Sequence, residues 1–323
     1  MSAERTVVAP GRLGSLAIVF VFGGMASASQ SRANGEFTLY TGSGVHSAFI
    51  SFVIGLVILS VIALGSGSIR RGIAAIPRAV RAGTLPIWAV PAGVLGGVFI
   101  ACASYSVALI GVSLFAVGTV MAQTSTALFV DRVGIGPTGR TRLSANRIVA
   151  AVIAIIAVAI AAAPSITAAD FAILAVLASI LGGVATTVQQ GLNGRITVAA
   201  RQPIATTWLN FLFGSLGLLI GLLFSMAFLG DTFTWPSSGP WWMWLGGVFG
   251  VVFILTSAWA VPRLGVLVTM LSVIAGQLTG ALVYDLLIPV GDNTLTWQIV
   301  AGVLLTFVAV YIGSMRRPGQ VLR

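Results

Sequence analysis

The chain has 323 residues and a net charge of +10, yet only 7% of its residues are charged while 58% are hydrophobic. Soluble globular domains average about 25% charged residues, so a soluble fold is excluded. Apolar runs of about 20 residues fill the sequence, the length a helix needs to cross a ~30 Å hydrocarbon layer, whereas membrane barrels need strands of alternating polarity about ten residues long; the fold class expected is an all-α polytopic membrane protein.

Ten spans are predicted in chain order: 13–32, 46–64, 87–108, 112–130, 145–163, 171–193, 204–228, 241–261, 265–287 and 295–314. Pro86, Pro164, Pro203, Pro240, Pro262 and Pro289 punctuate the joins. Arg5, Arg12, the first apolar run and Ala26-Ser27-Ala28 together look like a cleavable secretory signal. A second copy of the same stretch in mid-chain argues against that reading. The longest join, 65–86, places Ile69, Ile73, Ile76 and Val80 on one helical stripe, with Arg70, Arg71, Arg78 and Arg81 away from it. It reads equally as a short helix lying on anionic headgroups or as a basic loop broken by Pro77.

Every basic residue is arginine. With ten spans, sixteen of them fall on the side of the amino terminus and Arg32 alone falls opposite. Such a bias puts both termini of a multi-pass protein in the cytoplasm. Because the arginines lie between apolar runs, they speak for orientation in a lipid bilayer and not for a nucleic-acid partner. Cys102 and His46 are each the only residue of their type, so neither a disulfide nor a cysteine metal cluster is expected within one chain, and no cofactor or metal is called for. Arg32 and Glu36, four apart, are expected to pair at the outer surface, where such pairs contribute little. Trp88, Trp235, Trp241, Trp242, Trp244 and Trp297 gather near span starts, as interfacial anchors do.

The sequence is duplicated. Gly23, Gly24, Ala26, Gln30, Asn34, Gly35, Thr38, Phe52 and Gly55 recur as Gly182, Gly183, Ala185, Gln189, Asn193, Gly194, Thr197, Phe211 and Gly214, at a constant offset of 159 residues. Gly111, Gln123 and Asp131 recur as Gly265, Gln277 and Asp285, and Leu95–Phe99 recurs unchanged as Leu245–Phe249. Two halves follow, 1–165 and 166–323, each with five spans. Because five is odd, the second half enters the membrane inverted, an arrangement typical of secondary transporters. Asn34 is expected to end its helix outside and Asn193 inside.

Gln and Asn four apart share one helix face. Gln30, Asn34, Gln123, Gln189, Asn193 and Gln277 are therefore the candidate substrate-binding or gating residues, lining a polar cavity between the halves. An amide both donates and accepts hydrogen bonds, which suits a neutral or zwitterionic small-molecule solute. Asp131 and Asp285 are candidates for coupling or for helix-end roles. Phe52, Phe211, Tyr105 and Trp259 are candidate aromatic walls, with helix packing as the plainer role for each. No acid lies at a span centre, where one would mark a proton or ion path. No catalytic residue is assigned, since a membrane enzyme acting on lipid-linked substrate would need a convergent acid/base or metal cluster. A non-transporting scaffold is the other alternative to a carrier. Monomer and homodimer are both compatible with the sequence.

The pattern Gly-Gly-x5-Gln-x3-Asn, Phe-x2-Gly, Leu-Gly-Gly and Gly-x11-Gln-x7-Asp resembles the YdcZ-like branch of the drug/metabolite transporter superfamily. The resemblance runs through both halves and is closer in the second, through Gln189, Asn193, Pro203, Ala205, Phe211, Gly214, 260–265, Gly276, Gln277 and Asp285. It implies ten helices as two inverted five-helix repeats in tandem, a place in the bacterial inner or plasma membrane, and export of a small metabolite or drug. The superfamily's smallest members use a membrane-embedded glutamate for proton exchange, and no residue here matches it. Gly44 stands where the second half has Pro203, and Ile288 stands where the pattern around Asp131 has Gly134.

Overall fold

A computed structural model describes residues 10–136, 145–166, 170–228, 230–264, 266–288 and 296–314. It is built of helices: α1 (Pro10–Thr41), α2 (Gly44–Gly65), α3 (Gly67–Arg81), α4 (Gly93–Val133), α5 (Ala145–Ile166), α6 (Asp170–Ala200), α7 (Pro203–Phe228), α8 (Gly246–Leu264), α9 (Val266–Leu287) and α10 (Trp297–Ser314). Tight helical turns at Ile87–Ala92 and Trp241–Leu245 lead into α4 and α8. Among the described residues, five segments are long and apolar enough to cross a bilayer: Gly44–Gly65, Ile87–Val130, Ile173–Ala200, Pro203–Phe228 and Trp241–Ala260. Large apolar side chains point outward along them, as with Val57, Val61 and Leu64 on α2 and Ile220, Leu223 and Phe224 on α7. An apolar face of that extent is what lipid covers.

Ile87–Val130 holds 44 residues, about twice what a bilayer needs at ~1.5 Å per residue. The chain doubles back at Gly111, whose φ of 75° lies outside the helical region. Phe99 and Phe115 would sit about 24 Å apart on a straight helix, yet their ring centroids are 6.0 Å apart. Both limbs then flank α6: a Cβ at Gly182 would meet Phe99 and Cys102 of the first limb, and one at Gly183 would meet Thr119 and Ala122 of the second. Helix α4 is thus two limbs that meet at Gly111.

Asp285, from α9, closes this reversal. Its carboxylate accepts the backbone N–H of Val112 at 2.9 Å and of Ser113 at 2.6 Å. These are the first free donors of the second limb, which need an acceptor when buried. Asp285 thus accepts from the first turn of the second limb of α4, while Asp131 lies in α4 with its side chain outside the described residues. Asp285→Ala should lower the unfolding free energy by about 1–2 kcal/mol, the cost of losing a helix cap, read as a drop in the melting midpoint of the detergent-solubilised protein. An unchanged midpoint would show that the bonds to Val112 and Ser113 contribute nothing.

Several sequence expectations are revised. Helix α1 continues to Thr41 and α6 to Ala200, so Asn34 and Asn193 sit about two turns inside their helices and not at the ends. Gly42 (φ 71°) and Arg201 (φ 51°), again 159 apart, supply the left-handed residues that terminate them. The Arg32–Glu36 pair, 2.8 Å long, is not a surface pair. Arg32 is 3% exposed and Glu36 15%, and the Arg32 guanidinium also donates to Ile288 O at 2.9 Å and lies over the Trp242 ring. Trp88, Trp235, Trp241 and Trp297 are exposed, as anchors are, but Trp242 covers Arg32 and Trp244 packs edge-on against Phe37. Segment 65–86 forms helix α3 despite Pro77. Its Ile69 and Ile76 are buried, and its four arginines are exposed.

The helices pair as α1 with α4, α8 and α9, α4 with α6 and α7, α2 with α7, and α5 with α10. Glycines set the closest approaches. A Cβ at Gly24 would strike Val273 O and the backbone at Gly276 and Gln277; a Cβ at Gly183 would strike Thr119 O and Ala122. Without a hydrophobic force between helices in lipid, such backbone contact is what holds them together.

Candidate functional site

At the crossing of α1, α2, α4, α6, α7 and α8 lies a small enclosed pocket. Gln30 and Gln189 line it, with Asn210, Gly96, Phe52, Phe211, Phe99, Ile100, Phe253 and Ile254. Its volume is about 10 Å³, close to the least that holds one water. Both amides stand over a glycine: a Cβ at Gly96 would collide with Gln189 Nε2, and a Cβ at Gly250 with Gln30 Nε2. The aromatic pair Phe52–Phe211 has centroids 4.9 Å apart. Each ring occupies the space beside the other helix's glycine, Phe211 against Gly55 and Phe52 against Gly214.

These contacts recur with the offsets found in the sequence. Gly24 against α9 matches Gly183 against α4; Gly93 against Asn210 O matches Gly247 against Ser51 O; Gly96 with Gln189 matches Gly250 with Gln30. Thr38 Oγ1 bonds to Ser47 Oγ at 3.1 Å, and Thr197 Oγ1 bonds to Thr206 Oγ1 at 2.9 Å. Along α4 and α8 the matching residues are 154 apart, so the identical segments Leu95–Phe99 and Leu245–Phe249 make different contacts. Gly246 packs against Asn34 Oδ1 and Ser51 Oγ, while Gly96 packs against Gln189.

Beyond the pocket the two sides differ. On one, Gln189 Nε2 donates to Asn210 Oδ1 at 2.7 Å, and Asn210 Nδ2 donates to Asn193 Oδ1 at 2.7 Å and to Thr206 O at 2.9 Å. Three buried amides thereby form a chain between α6 and α7. On the other, the position of Asn210 is taken by Ser51. Among the described residues, Asn34 Oδ1, Asn34 Nδ2 and Ser51 Oγ have no hydrogen-bond partner, although Asn34 is fully buried. An unpaired buried polar group costs about 1–3 kcal/mol, so this side is the less satisfied of the two.

Of the six candidate residues, Gln30 and Gln189 share the pocket, Asn193 ends the amide chain and Asn34 stands unpaired opposite. Gln123 and Gln277 are buried in α4 and α9, with Gln123 Oε1 and Gln277 Nε2 unpartnered, and are not among the residues lining the pocket. Phe52 and Phe211 form walls; Tyr105 does not line it. Asn210, the centre of the amide chain, is not among those six because its matching residue in the first half is Ser51 and not a second amide. Its spacing from Gln189 and Asn193 gave no signal across the α6–α7 turn.

The helices, their lipid-facing surface and the buried amides define a polytopic α-helical membrane protein. The family model DMT_YdcZ, described as "Putative inner membrane exporter, YdcZ", matches residues 15–160 and again 174–312, and the chain belongs to that family. The two matched regions agree with the tandem form, and the description puts the chain among transporters of the inner membrane. No curated protein matches the chain.

Proposed function

We propose that the protein is a secondary carrier, working as an exporter, in which residues 1–165 and 166–323 are inverted five-helix repeats with ten spans and both termini cytoplasmic. A small neutral or zwitterionic solute passes at their seam by alternating access. The carrying observation is that Gln30 and Gln189 face one pocket while each packs on a glycine of the opposite half. The recurring glycine contacts, at Gly24 and Gly183, Gly93 and Gly247, and Gly96 and Gly250, each join one half to the other, which supports an exchange of shapes between two inverted repeats. Among the described residues no carboxylate or guanidinium lines the pocket, and the amides and aromatic rings there suit a solute recognised by hydrogen bonds and stacking. Asn193 and Asn34 are read as gates on its two sides; Gln123 and Gln277 are read as buried polar positions beside the seam.

Counterflow in liposomes with a panel of labelled amino acids, sugars and amides tests this reading. Gln189→Leu should lower flux per folded molecule by about tenfold, equivalent to ~1.4 kcal/mol, with less effect on the amount of folded protein. Equal flux per folded molecule would remove the site. Termini tagged to opposite faces of the membrane would remove the repeat.

A further inference from the structure

We propose that a groove between α3, the turn at Ile87–Ala92 and α7 is a binding site for one anionic phospholipid, with an acyl chain along the groove and its phosphate at Arg81. The groove has a volume of about 540 Å³, within the usual ~300–1,000 Å³ of ligand sites. Its walls are Ile73, Pro77, Val80, Ile87, Val90 and Leu209, and an arginine stands near each end of its α3 wall, Arg70 and Arg81. Those two are about 16 Å apart along α3, so one phosphate meets only one of them. Arg70 already donates to the carbonyls of Ala63 and Leu64 at the end of α2. Arg81 is exposed, and among the described residues no carboxylate pairs with it.

The charge around the groove points to the same ligand. Helix α3 has no acid, and its remaining arginines, Arg71 and Arg78, are also exposed. Like charges so placed, beside an apolar trough, are complementary to an anionic headgroup joined to a hydrocarbon chain. The helix is held to the bundle from beneath, by Gly72 against Gln202 and Ala205 and by the 3.0 Å bond from Gln202 Nε2 to Ser68 Oγ, so the trough is a fixed feature of the fold. This site is independent of the solute pocket.

The test uses the full chain in neutral detergent, with phosphatidylglycerol, phosphatidylcholine or inorganic phosphate added. Bound lipid is counted by native mass spectrometry, and stabilisation is read from the melting midpoint. Phosphatidylglycerol should bind in preference to phosphatidylcholine and raise the midpoint more. Arg81→Gln should weaken phosphatidylglycerol about fivefold, the effect of about one interfacial charge, and Arg81→Lys should keep most of the affinity. Ala74→Trp, which fills the trough from an exposed position, should weaken both lipids. The proposal falls if the two lipids bind equally, if inorganic phosphate stabilises as much as phosphatidylglycerol, or if Arg81→Gln leaves the preference intact. It falls also if Arg132→Gln, at an exposed arginine on α4, weakens phosphatidylglycerol as much as Arg81→Gln does.

Discussion

Gly24→Ala and Gly183→Ala should each remove most of the folded protein, and by similar amounts. At Gly24 an added Cβ would lie 2.6 Å from Gly276 Cα and 2.7 Å from Gln277 N; at Gly183 it would lie 2.7 Å from Ala122 Cβ and closer still to Thr119 O. Most of these neighbours are main chain, which no rotamer change moves aside. To admit one methyl group, α1 must leave α9, or α6 must leave the second limb of α4. Overpacking costs about 1–3 kcal/mol where side chains give way, and here the upper end or more is expected. Helix propensity runs the other way, since alanine is favoured over glycine by about 1 kcal/mol in a helix interior, but the collision outweighs it. Gly221→Ala is the comparison, because its Cβ would meet only Val45, at 4.0 Å; that change should be neutral or stabilising. Fluorescence-detected size exclusion and melting midpoints of the three variants decide the matter. If Gly24→Ala and Gly183→Ala behave like Gly221→Ala, the helices do not approach as described.

Much of this arrangement was legible in the sequence because lipid imposes a simple rule: backbone groups must bond within helices, so long apolar runs become helices. The paired glycines and glutamines were legible because the same close contact is made twice. What escaped was whatever occurs once. Asn210 matches a serine, so recurrence passed over the residue that joins Gln189 to Asn193. The burial of Arg32 escaped because its cover, Trp242 and the Ile288 carbonyl, comes from more than 200 residues away. Identity also misled. Leu95–Phe99 and Leu245–Phe249 are alike in letters but stand one helical turn apart in contacts, since packing follows the glycines Gly93/Gly247 and Gly96/Gly250. Gln123 and Gln277 recur as faithfully as Gln30 and Gln189 yet lie off the pocket, so recurrence marks positions fixed by the fold as well as positions that meet a solute.

Ser51→Asn should slow transport about tenfold without unfolding the protein. In the second half, Asn210 accepts from Gln189 and donates to Asn193, each at 2.7 Å. Its partner position is Ser51, too short to span Gln30 and Asn34. An asparagine there would build the missing link, accepting from Gln30 and donating to the unpaired Asn34 Oδ1. Interhelical amide bonds in membranes contribute about 0.6 kcal/mol each, and pairing Asn34 also removes part of the ~1–3 kcal/mol cost of its isolation. Two such bonds add up to about 1 kcal/mol or more, enough to shift a two-state equilibrium about fivefold to tenfold toward the closed form of that side. The melting midpoint should therefore hold or rise while flux falls about tenfold. Asn210→Ser is the converse: it leaves Gln189 Nε2 and Asn193 Oδ1 unpaired, lowers the midpoint and loosens the other side. A double variant carrying Ser51→Asn and Asn210→Ser exchanges the two sides, and should recover flux relative to Ser51→Asn alone. If Ser51→Asn leaves flux unchanged, or the double variant is no better than the single one, the amide chain does not gate the seam.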